Sequence, residues 1–257
     1  MILLLFLLSS CEEKIHVDLI TQTPKVVIEI YITNDEGPVF VKISKSQDFF
    51  NQTKFSTINN ADVHIEYLTT KEKLTERGDG YYVSSKIKGI PGTSYKLQIT
   101  SENVTFDATA ELPNSVPIDT VYFQPGLFRD DSLNICIEFK DPAITENYYR
   151  IKLYRNRRYA VNDYFLMTDA FSDGKKMIAP IYYRYFAPKD TVFVQLLNLE
   201  RNTWKYFKGL SEAIQQGVNS QAPGNPPTNL SGGALGIFGA YGLSSYQTIV
   251  PKTTAKK

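Results

Sequence analysis

From Lys25 the chain alternates: Val26, Ile28, Ile30 and Ile32 fall on one side of an extended segment, and Lys25, Glu29 and Thr33 on the other. A period of two marks a strand with one buried and one wet face. Asn34-Asp35-Glu36-Gly37-Pro38 breaks the run as a turn, and a partner strand is predicted over residues 39–43. The same pattern predicts strands over 61–68, 81–87, 94–100 and 104–112, with Val63, Ile65, Tyr67, Tyr95, Leu97, Ile99, Val104, Phe106, Ala108 and Ala110 turned inward. Strands this short, spaced by Gly, Pro and Asn turns, predict an immunoglobulin-like antiparallel sandwich over residues 24–113.

Leu112-Pro113-Asn114-Ser115-Val116-Pro117 carries two prolines, which cannot donate to a sheet ladder, so a domain boundary is placed there. A second β-rich domain is predicted over 118–251, with strands at 120–123, 133–139, 148–154, 164–168, 181–185, 191–197, 235–241 and 246–250. It holds one helix, over 203–216, where Trp204, Phe207, Leu210 and Ile214 recur on one face. Asn202 is its expected cap and Gly217 its stop. Residues 252–257 form a basic tail expected to fray. The fold class is therefore mainly β with a single helix.

With 257 residues and 42% hydrophobic composition the chain has enough apolar surface for a real core. Its 28 basic and 27 acidic residues leave a net charge of +1, so there is no broad positive field of the kind nucleic-acid binding requires. Two cysteines, Cys11 and Cys136, exclude a disulfide framework.

Residues 1–8 are a run of Ile, Leu and Phe after Met1, too short to span a bilayer, and read as the apolar part of a signal peptide over 1–10. The following Leu8-Ser9-Ser10-Cys11 resembles the lipobox of bacterial lipoprotein precursors, in which the cysteine is acylated and becomes the mature N-terminus. No Lys or Arg precedes the apolar run, which departs from that pattern and raises the question of the true start codon. The competing reading is a stray cysteine after an apolar start. Residues 11–23 form the expected lipidated tether, and two or three acyl chains hold a protein on a membrane durably, at roughly 0.8 kcal/mol per buried methylene. Glu12 and Glu13 resemble the acidic signals that send such lipoproteins to the cell surface; a solvated tether is the alternative.

Catalytic constellations are hard to assemble. Only His16 and His64 exist, one in the tether and one on the outer face of a strand, so a nucleophile has no evident base. Cys136 alternates with Ile135 and Ile137 and reads as structural, and zinc spacing is missing. Paired carboxylates are the surviving route to hydrolysis, with Asp130-Asp131 and Asp169 to Asp173 the densest groups, although solvated loop charge is the simpler account. The latter run lacks the alternating acids of a calcium loop. Gly232, Gly233, Gly236, Gly239 and Gly242 lack the Lys-Ser/Thr of a phosphate loop and suit close backbone packing. For binding, Arg157 and Arg158 at a hairpin tip, and Tyr183 and Tyr185 in an aromatic row, are the candidates. No metal site, cofactor or catalytic residue is expected.

The order of several segments resembles the Bacteroidetes lipoproteins grouped as domain of unknown function 4249. These are Cys11-Glu12-Glu13, residues 24–33, Ala61-Asp62-Val63, Gly80-Tyr81-Tyr82, Gly92 to Leu97, Pro117 to Val121, Gly224-Asn225-Pro226, Asn229 to Gly233 and Leu235 to Tyr241. Pro227 stands where members often carry Phe. The resemblance implies an N-terminal immunoglobulin-like or carboxypeptidase-regulatory-like sandwich, proximity to TonB-dependent outer-membrane transporters, and no established enzymatic activity. The expectation is an outer-membrane lipoprotein that assists such a transporter or captures its ligand. A surface hydrolase using paired carboxylates, or a structural or adhesive protein, are the alternatives.

Overall fold

The computed structural model describes residues 23–47, 56–125, 133–160, 164–182, 186–218 and 224–252. In its first half lie β1 (Val26–Thr33), β2 (Val39–Lys45), β3 (Asp62–Tyr67), β4 (Thr70–Lys73), β5 (Thr75–Gly78), β6 (Tyr81–Ser84), β7 (Ser94–Ser101) and β8 (Val104–Glu111). After the proline segment come β9 (Ile118–Pro125), β10 (Leu133–Lys140), β11 (Tyr148–Arg155), β12 (Arg158–Tyr159), β13 (Phe165–Thr168), β14 (Lys176–Ile181) and β15 (Thr191–Leu199). The helix α1 (Arg201–Val218) and the long strand β16 (Leu235–Ile249) follow, the last elements among the described residues.

One nine-stranded sheet organises the molecule, in the order β12-β11-β15-β16-β1-β2-β6-β5 with β13 also on β11. A four-stranded sheet, β4-β3-β7-β8, covers one half of it, and a three-stranded sheet, β14-β10-β9, covers the other. The first core gathers Ile28, Ile30 and Ile32 with Val63, Ile65, Leu97, Ile99 and Phe106, and the second gathers Ile135, Ile137 and Phe139 with Tyr149, Ile151, Val194 and Leu196. These are the alternate positions of their strands, which is why the period-two pattern found them; Val104, expected inward, is instead exposed where β8 begins at the sheet's end, and the alternation holds from Phe106 on. The protein is mainly β, its sheets packed face to face.

β16 joins the two halves. Its first part runs parallel to β1, from Val27↔Leu235 to Thr33↔Tyr241, and its second part runs antiparallel to β15, from Leu199↔Tyr241 to Thr191↔Ile249. Leu230, Ala234, Phe238 and Ala240 thereby enter the first core. Past Tyr241 the edge that β1 leaves free is taken up by Asn34, whose amide accepts from Leu243 N–H at 2.6 Å and donates to its carbonyl at 3.1 Å. Two strands predicted over 235–241 and 246–250 are thus one, because its pairing changes partner without interruption. Strand β14 lies at Lys176–Ile181 where 181–185 was predicted: Met177, Ala179 and Ile181 fill the second core, while Tyr182 is exposed. β4 and β5 were not foreseen, because their residues are mostly polar and exposed.

The helix begins two residues before its predicted start. Glu200, not Asn202, caps it: the Glu200 carboxylate accepts from Thr203 N–H at 3.0 Å and from the Thr203 hydroxyl at 3.2 Å. The helix then runs through Gly217, which does not stop it. Tyr206 and Phe207 bury against Tyr148, Leu197, Leu199 and Ile237 on the face of the large sheet opposite the two cores. Ile214, expected on the packed face, is exposed beyond that contact.

Candidate functional site

The helix covers only part of that face, and unusual chemistry collects beneath and beside its edge. Even-numbered residues of β11 point to it, because the odd-numbered Tyr149, Ile151 and Leu153 fill the second core. Arg150 is 8% exposed, with its guanidinium carbon 4.2 Å from the Tyr164 ring centroid and 4.3 Å from that of Phe207. Its buried Nε has no hydrogen-bond partner, and among the described residues no carboxylate lies within ion-pair distance. Cation–π contact stands in for a counter-ion.

Lys152 lies two residues along, its Nζ 5.9 Å from the Tyr241 ring centroid and likewise without an acid among the described residues. Burial first, and then the positive charge of Arg150, lower its pKa from 10.5 to about 8. It opens into a cleft of about 290 Å³ whose floor is Lys152, Gln195, Leu197 and Tyr241 and whose walls include Tyr31, Leu243, the β1–β2 turn at Asp35, Gly37 and Pro38, and Phe40 of β2. Burial, then the neighbouring Tyr206 and Glu29, push the Tyr31 hydroxyl far up, and burial raises Tyr241 as well, so both rings present neutral O–H groups. Tyr31 stacks on Phe207 at 5.7 Å and tilts against Tyr241 at 6.0 Å, an aromatic wall that continues under the helix. Beyond Gln195 the face carries on into a hollow of about 690 Å³ lined by Tyr154, Phe193, Gln247 and Arg157.

Of the residues singled out from sequence, Arg157 and Arg158 stand exposed at the β11–β12 hairpin, and only Arg157 joins this face. Asn156 and Arg157 take the paired positive φ of a two-residue hairpin turn, 49° and 66°. Arg155 is drawn away from that basic run by Asp190 at 2.6 Å. Tyr148 is buried beneath Trp204 and Tyr149 lies in the second core, while Tyr154 faces the open hollow. Leu8, Ser9, Ser10, Cys11, Glu12, Glu13, His16, Asp130, Asp131, Tyr183 and Tyr185 lie outside the described residues. His64 contacts Asp62 at 3.1 Å on a strand's outer side. Cys136 is buried, and burial raises its thiol pKa, which keeps it protonated.

The acids of residues 169–173 are not simply solvated. Asp169 is 3% exposed, and with Asp141 and Asp173 it brings carboxylate oxygens within 4.8 Å of one another. Protein donors hold each acid: the Tyr149 hydroxyl and Gly174 N–H on Asp141, Asn147 N–H on Asp169, and Ile144 N–H on Asp173. These three are the described residues that could hold a hard cation, supplying three of the roughly six to eight oxygens that calcium takes. Asp141 escaped the sequence reading because it lies 28 positions from Asp169, and only the loop geometry brings the two together. Lys152 and Arg150 escaped it too. Their one signal was two basic residues at alternate positions in a strand whose other face is fully apolar.

Fold and cleft together define a mainly β protein with a half-covered sheet face carrying two cations that have no acid partner among the described residues. The chain belongs to the family described as Domain of unknown function (DUF4249), whose model matches residues 12–247. No curated protein matches it. Among solved structures it is similar to the crystal structure of chicken CNTN1 FN1-FN3 domains, at 13% identity and a TM-score of 0.28, covering 89% of this chain and 66% of that one. The chain thus spans a little under two thirds of that structure's length.

Proposed function

We propose that this protein is a lipid-anchored binding protein of the bacterial outer membrane, of Bacteroidetes type, that captures a ligand beside a TonB-dependent transporter and performs no catalysis. The observation that carries the capture reading is the open cleft at Lys152, where a half-buried cation with no acid partner among the described residues faces solvent. Natural pockets combine such apolar walls with a few placed polar groups. Among the described residues the ionisable neighbours of Lys152 in the cleft are Tyr31, Tyr241 and Asp35, with no histidine or thiol beside it, and the reading gives Lys152 the role of counter-ion. Lipid attachment at Cys11, after Leu8-Ser9-Ser10, supplies the anchor, and Glu12-Glu13 supplies the signal for the outer face. Among the described residues no helix is long and apolar enough to cross a membrane.

The test is fractionation and crosslinking in the native host. Wild-type protein is expected in the outer membrane, labelled by palmitate, with a TonB-dependent barrel as its main crosslinked partner; Cys11→Ala is expected to lose the label and leave the membrane. An unlabelled wild-type protein outside the envelope overturns the anchor. Turnover of glycans or peptides that ceases on substituting Asp141 or Asp169 overturns the non-catalytic reading in favour of the hydrolase.

A further inference from the structure

The cleft also carries information about its ligand. Its cationic group, Lys152, has no acid partner among the described residues, and the next residue on the same side of the strand is Arg150, more than nine-tenths buried with an unpartnered Nε. A protein that leaves two adjacent cations uncompensated on a partly desolvated face bears an electrostatic cost that a bound anion would relieve. Its apolar surface comes from Leu243, Phe40 and the rings of Tyr31 and Tyr241, set beside the polar Thr33, Gln195 and Asp35. Asp35 also lines the cleft, so a ligand bearing several negative charges meets a like charge there. At about 290 Å³ the space lies at the small end of ligand pockets. We propose that the cleft binds the carboxylate of a small organic acid with Lys152 as counter-ion and the Tyr31 and Tyr241 rings against the acid's apolar body. This deepens the capture reading, on which it rests for the site, by naming the charge and character of the ligand.

The other ionisable groups around Lys152 are Arg150 and Tyr154 on its own strand, Tyr31 on β1, Tyr241 on β16 and Asp35 in the β1–β2 loop. Burial raises all three tyrosines, which leaves Lys152 to titrate first above pH 7. Calorimetric titration of the full chain in phospholipid nanodiscs with benzoate, benzyl alcohol and inorganic phosphate tests the assignment. Benzoate is expected to bind at pH 7 and to weaken roughly thirtyfold by pH 9.5, because a lysine of pKa about 8 is about nine-tenths charged at the first pH and about one-thirtieth charged at the second. Lys152→Met should abolish binding while leaving Trp204 fluorescence unchanged, and Lys152→Arg should keep binding and remove the pH dependence. Benzyl alcohol binding as well as benzoate overturns the assignment of charge and leaves capture standing. Phosphate binding in preference to benzoate overturns the carboxylate class, and benzoate binding undiminished in Lys152→Met, or absent from the wild type, overturns the site.

Discussion

The hydroxyl of Thr203, in the first turn of α1, accepts a hydrogen bond from the backbone N–H of Ala240 at 3.0 Å while donating to Glu200. A single side chain thus completes the helix cap and ties the helix to β16, the strand that both halves of the large sheet share. Thr203→Val keeps the shape and removes the acceptor, leaving a buried N–H unpaired. It should cost about 1–3 kcal/mol, read by urea denaturation through Trp204, the only tryptophan and itself in the helix. Thr203→Ser should recover most of the loss.

Gly239 lies directly beneath that contact. A Cβ there would fall 2.7 Å from Thr203 Oγ1 and 2.9 Å from the Tyr31 ring, and neither can retreat easily, since one is held by the cap and the other is stacked on Phe207. Gly239→Ala is therefore expected to destabilise by about 1–3 kcal/mol, as overpacking does. It should also disturb Trp204 emission in the folded state. An unchanged urea midpoint would show that the helix shifts freely on the sheet.

Lys152 predicts a gain in stability on mutation. Its pKa falls from 10.5 to about 8 on folding, so between those values the unfolded chain holds a proton that the folded chain has released, and stability rises with pH across that window. Below pH 8 the folded protein carries the cost of the charge in full. Lys152→Met should raise stability at pH 7 by about 1–2 kcal/mol, a figure reduced for the lysine's partial solvent contact. The gain should fade by about pH 10.5 in melting curves recorded over that range. A destabilised Lys152→Met protein at pH 7 would contradict the desolvated-cation account.

Tyr149 joins the second core to the acidic loops by donating its hydroxyl to Asp141. Burial and that carboxylate push the phenol far above its ordinary range, so it stays a donor at every pH the fold tolerates. Tyr149→Phe leaves the buried Asp141 one donor short, at about 1–3 kcal/mol. The same change at the exposed Tyr81 should cost less than about 0.5 kcal/mol. Thermal melts of the two variants side by side check the difference.

The sequence by itself determined the local repeat of the chain: which residues of β1, β3 and β7 turn inward, that 112–117 interrupts the strands, and that one amphipathic helix follows the strand near 191–197. Burial alternates along a strand whatever its neighbour is, so this much is written residue by residue. Tertiary structure decided which strands meet. The parallel seam of β1 and β16 joins residues more than 200 positions apart, and no local pattern encodes a pairing at that distance. The cleft is a product of that seam, since it sets Tyr31 and Tyr241 on one side of the cleft that Lys152 lines. Alternation alone would place Arg150 and Lys152 on a strand's wet side; the helix and the aromatic rings exclude water from that side, and their exclusion makes the two cations a site.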